Sequence, residues 1–233
     1  MKLSRLNPRQ LWSDESGLTT LLVLTLVFII SLTTLSDYSF GRILIRLFFC
    51  LIVVVGVLTT FPQKWLHAFA LALAVAIVAV NFTEHFQKLP YLEMLNTGLS
   101  LVYVGLLLFT LVFQVFREGS VTRHRISGAI VLYLFLGAFW ALLYKMLALN
   151  VPQAFHLSEH LIIDHPDDLL RHFMYFSYIT LTTTGYGDIT PVHPVARLLA
   201  MFQALAGQLF LVITLARLVS LELMHRNEKT DSQ

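Results

Sequence analysis

The chain has 233 residues, 57% of them hydrophobic and 13% charged, with a formal net charge of +2 and a mean hydropathy of +0.73. That balance suits lipid better than water and argues against an ordinary soluble domain. A single cysteine, Cys50, cannot make an intrachain disulfide and has no metal-ligand companions nearby, so packing is its expected role.

Six apolar stretches are long enough to cross a bilayer, which needs about 20 helical residues. They lie near Leu18–Leu35, Ile43–Thr60, Trp65–Phe82, Tyr91–Phe116, Ile126–Leu149 and Val195–Leu223. A secretory signal peptide competes for the first, but the flank Ser36-Asp37-Tyr38-Ser39-Phe40-Gly41 lacks an obvious small-x-small cleavage site. Arg42 and Arg46 are four apart near one end of the second stretch, where they would snorkel or pair with Asp37 or Glu93. His67 is expected to be interfacial or packed. Asn81-Phe82-Thr83 matches a glycosylation sequon close to lipid.

Lys2, Arg5 and Arg9 precede the first span, Lys64 follows the second, and Arg117, Arg123 and Arg125 follow the fourth. Arg226 and Lys229 lie in the tail. With six spans all four groups fall on one side, so both termini are expected to be cytoplasmic. The chain divides near residue 120 into a four-helix transmembrane domain, 1–120, and a second domain, 121–233. The basic joint between them reads as a cytoplasmic connector or an anionic-lipid site. No soluble regulatory domain is expected, because the tail after Leu223 is read as about one helical turn and a polar end.

Between the fifth and sixth spans lies a loop rich in titratable groups: His156, Glu159, His160, Asp164, His165, Asp167 and Asp168. It reads as a solvated turret, as a proton sensor, or, through His156 and His160, as a weak metal pair. Asp168 to Thr182 reads as a short re-entrant helix with Asp168 favourable at its N-terminus. Such a segment is tolerated only inside protein or beside a water-filled cavity. Its C-terminus, the negative end of the helix dipole, would face a cation.

The helix leads into Thr182-Thr183-Thr184-Gly185-Tyr186-Gly187-Asp188. Glycine accepts the backbone hand that side chains resist, so glycines at alternate positions let successive carbonyls point one way. A row of carbonyls aimed at one axis needs a positive occupant, and a dehydrated cation suits it. From about Arg125 to Leu221 the chain resembles the pore of tetrameric potassium channels: outer helix, pore helix, filter and inner helix.

The resemblance implies an all-α membrane protein of six transmembrane helices with a re-entrant pore helix and filter loop, assembled as a homotetramer around the pore. It implies that K+ binds at Thr183, Thr184, Gly185 and Tyr186, with Gly187 completing the filter. Thr183 would offer hydroxyl and carbonyl, and the next three would offer carbonyls. Thr182, Tyr175, Phe176 and Asp188 would support the filter and its mouth, with Tyr186 projecting into an aromatic cuff. The family usually has Val at the place of Thr184, whose hydroxyl needs a partner if buried. Many relatives also pair the aspartate with a pore-helix glutamate, but the matching residue here is Ile179.

In the last helix Gly207 lies twenty residues after Gly187, where related channels keep a hinge glycine. Close packing explains it equally well. Thr214, seven residues on, is a candidate for the inner pore, and Arg217 would point to lipid headgroups. The four-helix domain resembles a voltage sensor without its arginines: between Pro90 and Arg117 the only charge is Glu93. Weak voltage dependence is expected.

The function expected is passive, potassium-selective conduction in the cell membrane, with no cofactor beyond permeant K+ and no nucleic-acid partner. A poorly selective cation channel, or a non-conducting regulatory or sensor subunit, are the alternatives. No paired catalytic acids, nucleophile triad or phosphate loop suggests an enzyme.

Overall fold

The computed structural model describes residues 16–35, 38–60, 64–86, 89–116, 123–157 and 166–231. The chain forms α1 (Ser16–Thr34), α2 (Ser39–Thr60), α3 (Lys64–Phe86), α4 (Pro90–Phe116) and α5 (Arg123–Asn150). There follow β1 (Phe155–Leu157), α6 (Pro166–Leu181), β2 (Ile189–Pro191) and α7 (Pro194–Asp231). Pro90, Pro166 and Pro194 each open a helix, where a missing N–H is no loss and φ is already helical. Helices α1–α5 and α7 are long and apolar enough to cross a membrane, whereas α6 has 16 residues and is not among them.

Two boundaries depart from expectation. The last helix continues to Asp231, about two turns past Leu223 rather than one. The two short strands were not foreseen. They pair antiparallel with Phe155 opposite Pro191, His156 opposite Thr190 and Leu157 opposite Ile189, tying the end of α5 to the start of α7. The amides of Val192 and His193 extend this tie by donating to Ala154 O at 2.9 and 3.1 Å.

Hydroxyls inside the spans bond back to their own helices, which meets their needs where lipid offers no partner. Thr25 Oγ1 donates to Leu21 O at 2.7 Å, Thr59 to Val55 O at 2.8 Å and Thr97 to Glu93 O at 2.8 Å. Side chains cross between helices at a few places. Tyr103 Oη donates to Val53 O at 2.5 Å, a reach that Gly56 leaves clear. Asn81 and Asn96 exchange amide hydrogen bonds at 3.2 Å, and Asn96 Nδ2 also donates to Glu84 Oε2 at 3.1 Å. Asn81, the sequon residue, is therefore held inside α3 and against α4.

Helix α5 is the hub of the bundle, packing on α1 and α4 on one side and on α6 and α7 on the other. Where both surfaces are apolar and the solvent is lipid, such contacts rest on dispersion and shape rather than on water exclusion. One ion pair joins the halves: Lys145 Nζ of α5 lies 3.1 Å from Glu93 Oε1 of α4, with side chains 9% and 14% exposed. The ammonium is not aligned on that oxygen for a hydrogen bond. Lys145 is thus a partner of Glu93, which is one of the pairings expected for Arg42 and Arg46. The joint near residue 120 lies outside the described residues, as do Glu159, His160, Asp164 and His165 of the turret.

Candidate ion-conducting site

The site grows from the C-terminus of α6. A helix ends with carbonyls that lack intrahelical partners, and here the next segment supplies them. Thr183 N donates to Thr180 O at 3.0 Å and Thr184 N to Ile179 O at 2.8 Å. Those are the two bonds of a Schellman cap, with Thr183 at the left-handed position where glycine is usual. Gly185 N shares Ile179 O at 3.2 Å. The cap and the start of the segment Thr183–Gly187 are one structure.

Backbone hand then alternates. Thr183, Gly185 and Gly187 have φ of 59°, 56° and 84°, whereas Thr184 and Tyr186 between them do not have positive φ. For the glycines this is free of steric cost, but a β-branched residue there is strained by about 1–2 kcal/mol. Strain of this kind persists where function requires a side chain. At Thr183 that side chain is a hydroxyl, and Gln208 Nε2 of α7 donates to it at 3.3 Å.

Thr182, Thr183, Thr184, Gly185, Tyr186 and Gly187 are all exposed in the single chain. The hydroxyl of Thr184 has a partner: it lies 3.0 Å from Thr182 Oγ1, which itself donates to Tyr178 O at 2.8 Å. With the Thr182 proton committed to the carbonyl, Thr184 is the donor of the pair. A valine could not make this tie between the strand and α6.

The aromatic residues divide differently from expectation. Tyr186 is 73% exposed, so its ring finds no cuff within its own chain. Phe176 turns away from it into a cluster with Tyr144, Phe155 and Phe173. Its ring meets Tyr144 edge-on at 5.0 Å, and Phe155 meets Phe173 at 4.8 Å. Tyr175 is the aromatic that reaches the mouth. Desolvation, then a hydrogen bond to Asp188 and the charge of that carboxylate, push its phenol up to about 12. Asp188 Oδ1 also accepts from Ile189 N at 3.1 Å. Asp188 is thus braced from α6 by a phenol, one turn before Ile179. At the N-terminus of α6, buried Asp168 pairs with Arg171 at 3.5 Å.

On α7, Gly207 is a close-approach residue. A Cβ there would collide with the main-chain oxygen of Leu181, the last residue of α6. The helix runs through it unbroken. Thr214 is only 8% exposed within its own chain, and its hydroxyl lacks a hydrogen-bond partner. Its side chain is therefore not on the face left open for an axis, which corrects the expectation that it lines the inner pore. The reason is helical phase: seven residues after Gly207 puts it on the same inward-packed face. Among the described residues no cluster of three His, Cys, Asp or Glu side chains could hold a metal ion, and His156 stands exposed on β1.

Sequence reasoning missed Gln203, which is wholly buried behind this assembly. Its Oε1 accepts from Tyr144 Oη at 2.5 Å, and its Nε2 donates to Ser177 O at 2.9 Å and Ser177 Oγ at 2.7 Å. A glutamine midway along an apolar helix was the available signal.

The family model for ion channels matches residues 128–222, from the first third of α5 into the last third of α7. The chain is 30% identical over 140 residues, 60% of its length, to the voltage-gated potassium channel Kch of Escherichia coli strain K12. It spans only 29% of that relative's length. No solved structure matches it. Six apolar helices among the described residues, together with an ion-channel domain over residues 128–222, make this an integral membrane protein with similarity to a potassium channel.

Proposed function

We propose that four copies of this chain form a potassium-selective channel, with the strand Thr183–Gly187 of each copy lining one side of the filter. The observation that carries the reading is the alternating backbone hand at Thr183, Gly185 and Gly187 in a strand left exposed at the end of a short buried helix. Alternation turns successive carbonyls toward one side, where a dehydrated cation can replace their missing partners. One chain supplies one such row, and a cyclic homotetramer closes the ring with a single type of contact. The exposed ring of Tyr186 would then pack on a neighbouring copy rather than on its own. Asp188, braced by Tyr175, adds negative charge at the mouth and raises the local cation concentration.

The relative is called voltage-gated, but α4 here carries no basic residue, and Glu93, its only charge between Pro90 and Arg117, is bound to Lys145. Conductance is therefore expected to change little with voltage. Lys and Arg placement puts both termini in the cytoplasm and the mouth outside, in the cell membrane.

The test is K+ flux into liposomes carrying the purified protein, with Na+ and Ba2+ as controls. Potassium-selective flux blocked by Ba2+ is the expected result. Equal Na+ flux would replace this reading with a poorly selective cation channel. Intact tetramers without flux, across pH, voltage and tension, would replace it with a regulatory subunit.

A further inference from the structure

Gln203 is 0% exposed, on a helix whose side chains along the apolar span are mostly hydrophobic. An unpartnered amide at membrane depth is costly, and this one has its partners on two other helices. Its orientation is fixed by chemistry. Ser177 O accepts only, so the group facing it must be the NH2 and not the carbonyl. Ser177 Oγ gives its proton to Gly137 O of α5 at 2.6 Å, so it must accept from Gln203 Nε2. Tyr144 Oη is then left to donate to Oε1. Each proton has one place, and α5, α6 and α7 are joined through a single side chain.

The position of this junction relates it to the filter. Gln203 meets Ser177, and four residues further along both helices Gly207 meets the carbonyl of Leu181. Two contacts one turn apart on the same faces fix both the rotation and the axial register of α6 against α7. Ile179 lies between Ser177 and Leu181, and its carbonyl receives the amides of Thr184 and Gly185. Any slide or roll of α6 therefore moves the anchor of the carbonyl row. Being buried, Gln203 does not face the axis and does not touch a permeating ion.

We infer that Gln203, held by Tyr144, is a positioning residue that keeps the pore helix in register with the inner helix and so sets the spacing of the filter carbonyls. This rests on the potassium-filter reading above.

The experiment uses the purified full-length protein and measures its thermal stability against K+ concentration, with N-methylglucamine holding ionic strength constant. The variants are Gln203→Met, which keeps the volume but removes the amide, and Tyr144→Phe, which keeps the ring and removes only the hydroxyl. In both, the K+ concentration giving half of the protection is expected to rise about tenfold. The double variant should be no worse than the worse single, because both act on one junction. A junction that merely packs helices would lower the melting temperature equally at all K+ concentrations, without moving the half-protection point. That result, or an unchanged midpoint in both variants, overturns the inference while leaving the potassium reading in place. Should Gln203→Met fail to fold, Tyr144→Phe decides alone. Equal protection of the unaltered protein by Na+ would overturn the potassium reading, and the same midpoint shift, read in Na+, would still decide the role of Gln203. Protection by neither cation overturns both.

Discussion

In the four-helix half, hydroxyls mostly close on their own helix: Thr25 on Leu21, Thr59 on Val55, Thr83 on Ala79 and Thr97 on Glu93 each reach back one turn. In the second half several buried side-chain bonds run between elements. Tyr178 Oη reaches Leu134 O at 2.8 Å, Ser177 reaches Gly137, and Gln203 joins Ser177 to Tyr144. A helix that satisfies its polar groups internally can shift against its neighbours and lose little but dispersion. A helix bonded to two others has one register. The first half, tied across helices at Tyr103–Val53 and Asn81–Asn96, is thus the more tolerant scaffold, and the second is specified more closely in distance.

The Glu93–Lys145 pair is an ion pair between the two halves, so breaking it tests the division most severely. Lys145→Met leaves a mostly buried carboxylate without its counter-charge and is expected to cost about 3–5 kcal/mol in unfolding measured in micelles. Glu93→Gln combined with Lys145→Met should recover most of the loss. If it does not, the pair has a directional role that apolar packing cannot replace.

Gly207→Ala comes next. The added carbon meets a main-chain oxygen that cannot rotate away, and an expected loss of about 1–3 kcal/mol should be accompanied by loss of K+ flux. Normal flux in a stable Gly207→Ala protein would show that α6 can move against α7 without consequence, contrary to the comparison.

Thr184→Val removes one hydroxyl from the tie to Thr182 and leaves the Thr182 bond to Tyr178 intact. A loss of at most about 1 kcal/mol is expected, with K+ flux retained in the liposome assay. The smallest effect belongs to the scaffold. Thr25→Val deletes a hydroxyl whose acceptor still serves its own helix, and the melting temperature should shift by no more than about 0.5 kcal/mol would produce. A larger shift would mean that the first half is less tolerant than its bonding suggests.

The sequence made the spans legible because a run of apolar residues long enough to cross lipid has few other uses. The backbone hand at Gly185 and Gly187 was legible because glycine marks it directly. What stayed hidden depends on which side chains meet. Gln203 could be seen as polar in an apolar helix, but nothing in its neighbours on the chain points to Tyr144, 59 residues away. Phe176 is expected from its place in the chain to support the filter, and its ring contacts with Tyr144 and Phe155 show that it packs inward. The strands themselves are three residues each, too short to carry an alternating pattern. Thr214 shows the same gap: spacing placed it on the face of Gly207 correctly, but not which way that face turns.

Thr183 is the one left-handed position of the strand that kept an L side chain. At Gly185 and Gly187 the ribosome has no mirror-image amino acid to offer, so the chain uses the residue with no handedness at all. A filter made by chemical synthesis need not make that compromise. D-alanine at Gly185 or Gly187 would suit the geometry and stiffen the strand, where L-alanine would distort it. At Thr183 a D-residue would relieve the strain but turn the hydroxyl out of reach of Gln208.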